Sequence, residues 1–172
     1  MFWLFAVAGN ETLRNGMPGG MIALLEHPEQ QRRLRAEPSL LESAVEEMLR
    51  WWTPVMTFRR TATRDAVIAR QHVAAGDKVV VSFASANRDE AVFDDPDVFD
   101  VGRYARGGGR HLVFGYGPHF CLGAHLAGIQ MRALFGELMR RTSWIEPAGP
   151  PSYLRSNFQR GVKRLPIAWR AT

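Results

Sequence analysis

Apolar residues crowd positions 2–8 and then recur at helical spacing as far as Leu25. This pattern predicts one long helix over 2–25. Its beginning is apolar nearly all round, which places it at the centre of a fold. Pro28 suits a first helical position and opens a short polar helix to about Ala36. Ser39 and Glu42 have the spacing of a capping box for a third helix. The inward stripe of that helix is Leu41, Ala44, Val45, Met48, Leu49 and Trp52, and Pro54 ends it. Residues 57–62, 66–68 and 78–83 read as strands, with Gly76-Asp77 as a turn. From 94 to 120 the chain is rich in Asp, Gly and Pro and has little periodicity, and a loop that long inside a compact domain is usually functional. A long helix then spans about 122–141, with Leu126, Ile129, Ala133 and Leu138 expected inward. The tail, 143–170, reads as short strands separated by Pro147, Pro150 and Pro151. The predicted fold class is mainly α with small β-sheets (α+β).

Composition narrows this picture. A chain of 172 residues, 46% hydrophobic, can bury one real core, so residues 1–172 are expected to form a single unit. The formal net charge is +5. Only Lys78 and Lys163 are lysines, and the arginines are spread from Arg14 to Arg170 rather than gathered in a stripe. Charge without a reading motif gives no case for nucleic acid. A basic face suits an acidic redox partner or the carboxylates of a cofactor equally well. The single cysteine excludes an intrachain disulfide and points to a reducing, cytoplasmic setting. The apolar start lacks a basic leader and is too short for a membrane span. It reads as the middle of a buried helix whose beginning is cut off.

The residue with most chemical promise is Cys121. It follows Phe114-Gly115-Tyr116-Gly117-Pro118-His119-Phe120 and precedes Leu122-Gly123. Most lone cysteines are buried free thiols. This one stands at a predicted helix start, where unpaired N–H groups and the helix dipole stabilise an anion, and a thiolate can ligate iron. Gly115, Gly117 and Gly123 permit turns and close approach to a flat, bulky cofactor. Zinc held by His119, Cys121 and His125 is a further reading, but it lacks the second Cys/His pair of a structural site. A Cys–His nucleophile lacks an orienting third group.

Phe114-x-x-Gly117-x-His119-x-Cys121-x-Gly123 resembles the cysteine-ligand loop of cytochromes P-450, the haem-thiolate monooxygenases. Three more stretches resemble the same family, in its order. Ala8-Gly9-Asn10-Glu11-Thr12 is similar to the oxygen-binding groove, an acid–alcohol pair beside the iron. Glu47-Met48-Leu49-Arg50 is similar to the structural Glu-x-x-Arg motif, and Arg103 matches the loop residue that completes its network. Arg60 matches the arginine that pairs with a haem propionate. It lies five before Asp65, as in related bacterial sequences, and so is preferred to the adjacent Arg59. His119 matches a second propionate partner.

The resemblance covers essentially the whole chain, as the C-terminal portion of the P-450 fold starting at the groove helix. It implies haem b (iron protoporphyrin IX) with Cys121 as axial ligand. Arg60, His119, Phe114, Gly115, Gly123, Ala8 and Gly9 would surround the cofactor. Glu11 would relay protons and Thr12 would hold dioxygen and its water. Leu4, Val7 and Ala8, then Val55, Met56 and Phe58, then Phe158 would line a hydrophobic substrate pocket. Electrons would come from a ferredoxin or flavodoxin type donor, for which Arg106, Arg110 and Arg132 offer a docking face. Val7 to Thr12, Thr53-Pro54-Val55 and Leu154 to Phe158 resemble one bacterial branch, whose members hydroxylate sterol side chains, methyl-branched lipids or terpene alcohols. The expected activity is insertion of one oxygen atom of O2 into a C–H bond. The alternative expectation is a truncated, inactive fragment that at most binds haem.

Overall fold

The structure, a computed structural model, describes residues 2–172. Five helices carry the core: α1 (Phe2–Glu26), α2 (Pro28–Ala36), α3 (Leu41–Trp52), α4 (Phe83–Ala86) and α5 (Ala124–Arg141). Eight short strands form four separate two-stranded antiparallel sheets. These are β1 (Thr57–Thr61) with β4 (Lys78–Ser82), β2 (Ala66–Ile68) with β3 (Gln71–Val73), β5 (Thr142–Pro147) with β8 (Ile167–Ala171), and β6 (Ser152–Tyr153) with β7 (Val162–Arg164). The mainly α architecture with small sheets is the one the sequence predicts.

Helix α3 is the centre of the packing. Ala44, Val45 and Met48 are fully buried and meet Leu24 of α1, Leu34 of α2, and Met131 and Phe135 of α5 in one cluster. Glycines in α1 let the helices close. A Cβ at Gly19 would fall on the Trp52 indole, and one at Gly20 would lie 3.0 Å from the Met48 sulfur and 3.1 Å from Phe135. Pro54 ends α3 as expected: the residue before it, Thr53, turns left-handed at φ 48°. The Thr53 hydroxyl donates to Arg50 O at 2.7 Å and accepts from Asn87 Nδ2 at 2.9 Å, which holds that conformation.

Several expectations are corrected. The apolar beginning of α1 is not central here: Phe2, Trp3, Leu4, Phe5 and Val7 are exposed, and the buried residues run from Asn15 to Leu24. No capping box forms at α3. Pro38 starts a 3-10 turn, Pro38–Leu40, that feeds straight into the helix, so Leu40 is already helical and no side chain caps it. In α5 the buried face is Gly128, Met131 and Phe135, with Leu138 half-buried, while Leu126, Ile129 and Ala133 are exposed. The helix carries two apolar stripes at the same spacing, and periodicity does not say which one packs. Strand β3 escapes sequence reading because Gln71-His72-Val73 has no apolar alternation. Phe83 belongs to α4 rather than to a strand, because the Ser82 hydroxyl accepts the Ser85 N–H at 3.2 Å and caps a helical turn. Among the described residues, no helix is long and apolar enough to cross a membrane.

Candidate functional site

Two glycines shape the loop before Cys121. Gly115 and Gly117 sit at φ 73° and 72°, where a side chain is strained. The Gly115 N–H donates to Leu112 O at 2.9 Å, and the Phe120 N–H closes a 3-10 turn, Gly117–His119, on Gly117 O at 2.9 Å. The Cys121 N–H then donates to Phe114 O at 2.8 Å, so residues 114–121 form a closed ring. Cys121 itself is a free, exposed thiol. It precedes α5 by three residues rather than starting it, and an Ala124 N–H contact to Cys121 O at 3.3 Å hands the chain to the helix.

The loop's outer side is open. A Cβ at Gly117 would meet nothing within 4 Å, and one at Gly123 only the Cys121 sulfur at 4.0 Å. Leu122 is 85% exposed beside it, and His119 is exposed. The Phe114 ring lies 6.3 Å from Phe120 and 5.8 Å from His111. An exposed sulfur, an uncrowded glycine flank and uncovered apolar side chains suit a flat, mainly apolar group with a metal at its centre. Among the described residues no three His, Cys, Asp or Glu side chains gather as a metal-holding group, so His119, Cys121 and His125 do not build a zinc site.

The structure brings Glu47, Arg50 and Arg103 together. Glu47 and Arg50 are fully buried, joined by Nε to Oε2 at 2.7 Å and Nη2 to Oε1 at 2.8 Å. Arg50 also donates to the carbonyls of Asn87 (2.8 Å), Pro96 (2.8 Å) and Val98 (3.3 Å). Arg103 reaches both Glu47 oxygens at 3.2 and 3.1 Å and donates to the carbonyls of Asp94, Asp95 and Val98. The irregular segment before the cysteine loop is thereby tied to α3.

Helix α1 runs unbroken past Ala8, Gly9, Glu11 and Thr12. The Thr12 hydroxyl donates to Ala8 O at 2.8 Å, a back-bond that can open a helix, yet α1 stays closed here. Glu11 is half-buried and pairs with Arg14 at 2.9 Å. A Cβ at Gly9 would meet nothing within 4 Å, so this side of α1 is also open. Leu4 and Val7 are exposed.

Val55, Met56, Phe58 and Phe158 come together. The Met56 N–H donates to Phe158 O at 2.9 Å, Val55 bridges Gln159, and the Phe58 ring lies 5.7 Å from Phe158. Strand alternation puts Arg60 on the Phe58 side of β1 and Arg59 on the other. The Arg60 guanidinium stacks over the Phe58 ring at 5.6 Å. A cleft of about 450 Å³ adjoins this cluster at Met56 and Gln159 and is lined also by Trp51, Trp52, Arg88, Tyr153 and Arg160. Burial pushes the Arg160 pKa down there, and the nearby Arg88 charge adds to that.

Three residues that sequence reading missed hold the approach to the cysteine loop. Asn87, fully buried, accepts the Leu112 N–H on its side-chain oxygen at 2.7 Å. His111, also buried, meets Glu46 at 2.9 Å. Their one sequence signal is position: His111 stands in the same short run as Phe114, but nothing in the spacing pairs it with Glu46.

With this geometry in hand, the comparisons with known proteins are specific. The family model described as cytochrome P450 matches residues 2–166. The methyl-branched lipid omega-hydroxylase of Mycobacterium tuberculosis is 45% identical over 170 residues, which cover 98% of this chain and 39% of that protein. The linalool 8-monooxygenase of Pseudomonas putida is 44% identical over 164 residues, covering 95% of this chain and 40% of that one. The crystal structure of CYP108D1 from Novosphingobium aromaticivorans superposes with a TM-score of 0.89 at 41% identity, over 98% of this chain and 40% of that one. The chain thus spans about 40% of the length of such relatives. On the family model, the shared fold and the cysteine loop together, this chain belongs to the cytochrome P450 family.

Proposed function

We propose that residues 1–172 form the haem-binding unit of a monooxygenase that inserts one oxygen atom of O2 into a C–H bond of a hydrophobic small molecule. The observation that carries this reading is the closed ring 114–121, which presents an exposed Cys121 sulfur beside an uncrowded Gly123. Cys121 would hold haem b through its thiolate, a ligand that favours O–O cleavage in this class of haem protein. When bound, haem supplies the activation of dioxygen.

The other roles fall to this chain's own side chains. Arg60 and His119 pair with the propionates, the guanidinium by a bidentate fork. Phe114, Gly115, Gly123, Ala8 and Gly9 would surround the macrocycle, and the open space at Gly9 and Gly123 leaves room for it. Glu11 would relay protons, and Thr12, whose hydroxyl here donates to Ala8 O, would hold dioxygen and its water. Leu4, Val7, Val55, Met56, Phe58 and Phe158 exclude water and hold substrate. Glu47, Arg50 and Arg103 fix the segment before the ligand loop.

Two electrons come from a ferredoxin or flavodoxin type donor, and the cytoplasm is where such a donor and a reduced thiol coexist. The names of two relatives, a methyl-branched lipid omega-hydroxylase and a linalool 8-monooxygenase, favour a lipid or terpene as substrate. The test is the carbon monoxide difference spectrum of the chain loaded with haem and reduced. A strongly red-shifted Soret band supports thiolate ligation by Cys121. A band at the imidazole or thiol position overturns it.

A further inference from the structure

We propose that His111, hydrogen-bonded to Glu46, is a positioning residue that fixes the Cys121 loop against α3. Neighbouring glutamates of α3 diverge. Glu47 points into the core toward Arg50 and Arg103, while Glu46 meets His111 Nε2 at 2.9 Å. The Val113 N–H reaches His111 Nδ1 at 3.4 Å, so that nitrogen accepts and Nε2 carries the proton given to Glu46. The imidazole is thus held at both ends, one by a helix and one by its own loop.

The ring also sets its neighbour. His111 packs on Phe114 at 5.8 Å, and the Phe114 carbonyl accepts the Cys121 N–H at 2.8 Å. A direct path of contacts therefore runs from Glu46 through His111 and Phe114 to Cys121. Packing alone would not confine the imidazole. A pocket of about 300 Å³ adjoins it, lined by Glu46, Tyr104, Arg110, Phe114 and Phe120. The Tyr104 ring meets His111 edge-on at 5.8 Å, while its buried hydroxyl has no hydrogen-bond partner. Without the Glu46 bond the imidazole has space to swing and a free hydroxyl to meet, and Phe114 would lose its backing.

The role in holding the loop is independent of any cofactor. Only its consequence for iron ligation rests on the reading of Cys121 as ligand. The test is backbone amide hydrogen exchange in the chain without haem, with the Phe135 amide of the buried α5 face as internal reference. His111→Leu and Glu46→Leu should each speed exchange at Cys121 about tenfold, the loss of one partly buried charge-assisted bond, and leave Phe135 little changed. The double variant should be no faster than either single one, because both remove the same bond. His111→Gln, which keeps a donor near Nε2, and Glu46→Gln, which keeps an acceptor, should restore most of the protection. If His111→Leu fails to fold, Glu46→Leu against Glu46→Gln reads the same bond. Parallel acceleration at Cys121 and Phe135, additive single effects, or no rescue by the glutamine variants would each overturn the proposal. A chain that takes up no haem yet shows this exchange pattern would count against the ligand reading alone. Unchanged exchange in a chain with a normal red-shifted Soret band would count against His111 alone.

Discussion

Arg50 spends all five of its N–H donors inside the protein: two on the Glu47 carboxylate and three on the carbonyls of Asn87, Pro96 and Val98. Both side chains of the pair are fully buried, so neither has water as an alternative partner. Arg50→Leu leaves Glu47 with only Arg103 and the Asp100 N–H, strands the Asn87 carbonyl, and leaves Val98 O to Arg103 and Pro96 O to a 3.4 Å contact from Arg88. We expect a loss of about 3–5 kcal/mol, read from denaturant unfolding. Arg50→Lys should also be costly, because an ammonium has three donors for the same five acceptor contacts. A near-neutral Arg50→Lys would contradict the geometric account.

Gly19 faces the Trp52 indole with no room for a methyl group. Gly19→Ala must push α1 away from α3, and should cost about 1–3 kcal/mol despite the better helix propensity of alanine. Gly9→Ala, in the same helix but with open space around it, serves as the control and should be neutral or slightly stabilising in the chain without haem. Thermal melts of the two variants decide it.

Asp100 gives a pH prediction. Burial alone would raise its carboxyl pKa, but hydrogen bonds from Arg106 and the Gly102 N–H, with the charges of Arg106 and Arg33, hold it below the ordinary range. A folded pKa below the unfolded one means stability that is present above the unfolded value and lost as pH falls through the folded one. Unfolding free energy should therefore drop below about pH 4. Asp100→Asn should be less stable than the parent at neutral pH, and the gap should close in acid. A constant gap across that range would rule out the carboxylate as its source.

Two adjacent arginines separate a cofactor role from a surface role. Arg60 shares its strand face with Phe58, and Arg59 does not. In the haem-loaded chain, Arg60→Gln should speed haem loss to apomyoglobin about tenfold or more, the value of hydrogen bonds to a charged group. Arg59→Gln should leave the rate unchanged. The reverse ranking would move the propionate contact to Arg59.

Cys121→Ser should abolish the red-shifted Soret band of the reduced carbon monoxide complex, since a hydroxyl does not replace a thiolate as a soft ligand. Survival of that band would mean another residue binds the iron.

Local chemistry was legible in the sequence wherever one residue type does a job no other can. Pro54 ended α3, Gly115 and Gly117 marked the left-handed turns of the cysteine loop, and the order of the Glu-x-x-Arg pair, Arg60 and Cys121 gave the family. The stripe from Leu41 to Trp52 was right because α3 has one apolar face. The stripe on α5 was wrong because that helix has two, and only packing against α3 selects Met131 and Phe135. The beginning of α1 was misjudged for a related reason: an apolar surface says that a segment can be buried, not what is present to bury it. His111, Asn87 and Glu46 stayed hidden because their partners lie 25 to 65 residues away in sequence, and polar residues in irregular segments carry no period.

The grip of Arg50 and Arg103 on the segment before the cysteine loop has a consequence for sequence tolerance. Apart from the contacts of Glu47 and Asp100, what they hold at positions 87 and 94–98 is backbone oxygen. A carbonyl is the same whatever side chain accompanies it, so the identity of Val98, whose side chain is exposed, is free to drift while the path of the chain stays fixed. The exception is Asp95, whose φ of 47° admits Gly or Asn readily and a β-branched residue poorly. The shape of this irregular stretch is thus encoded mostly outside itself, in two arginines and one glutamate.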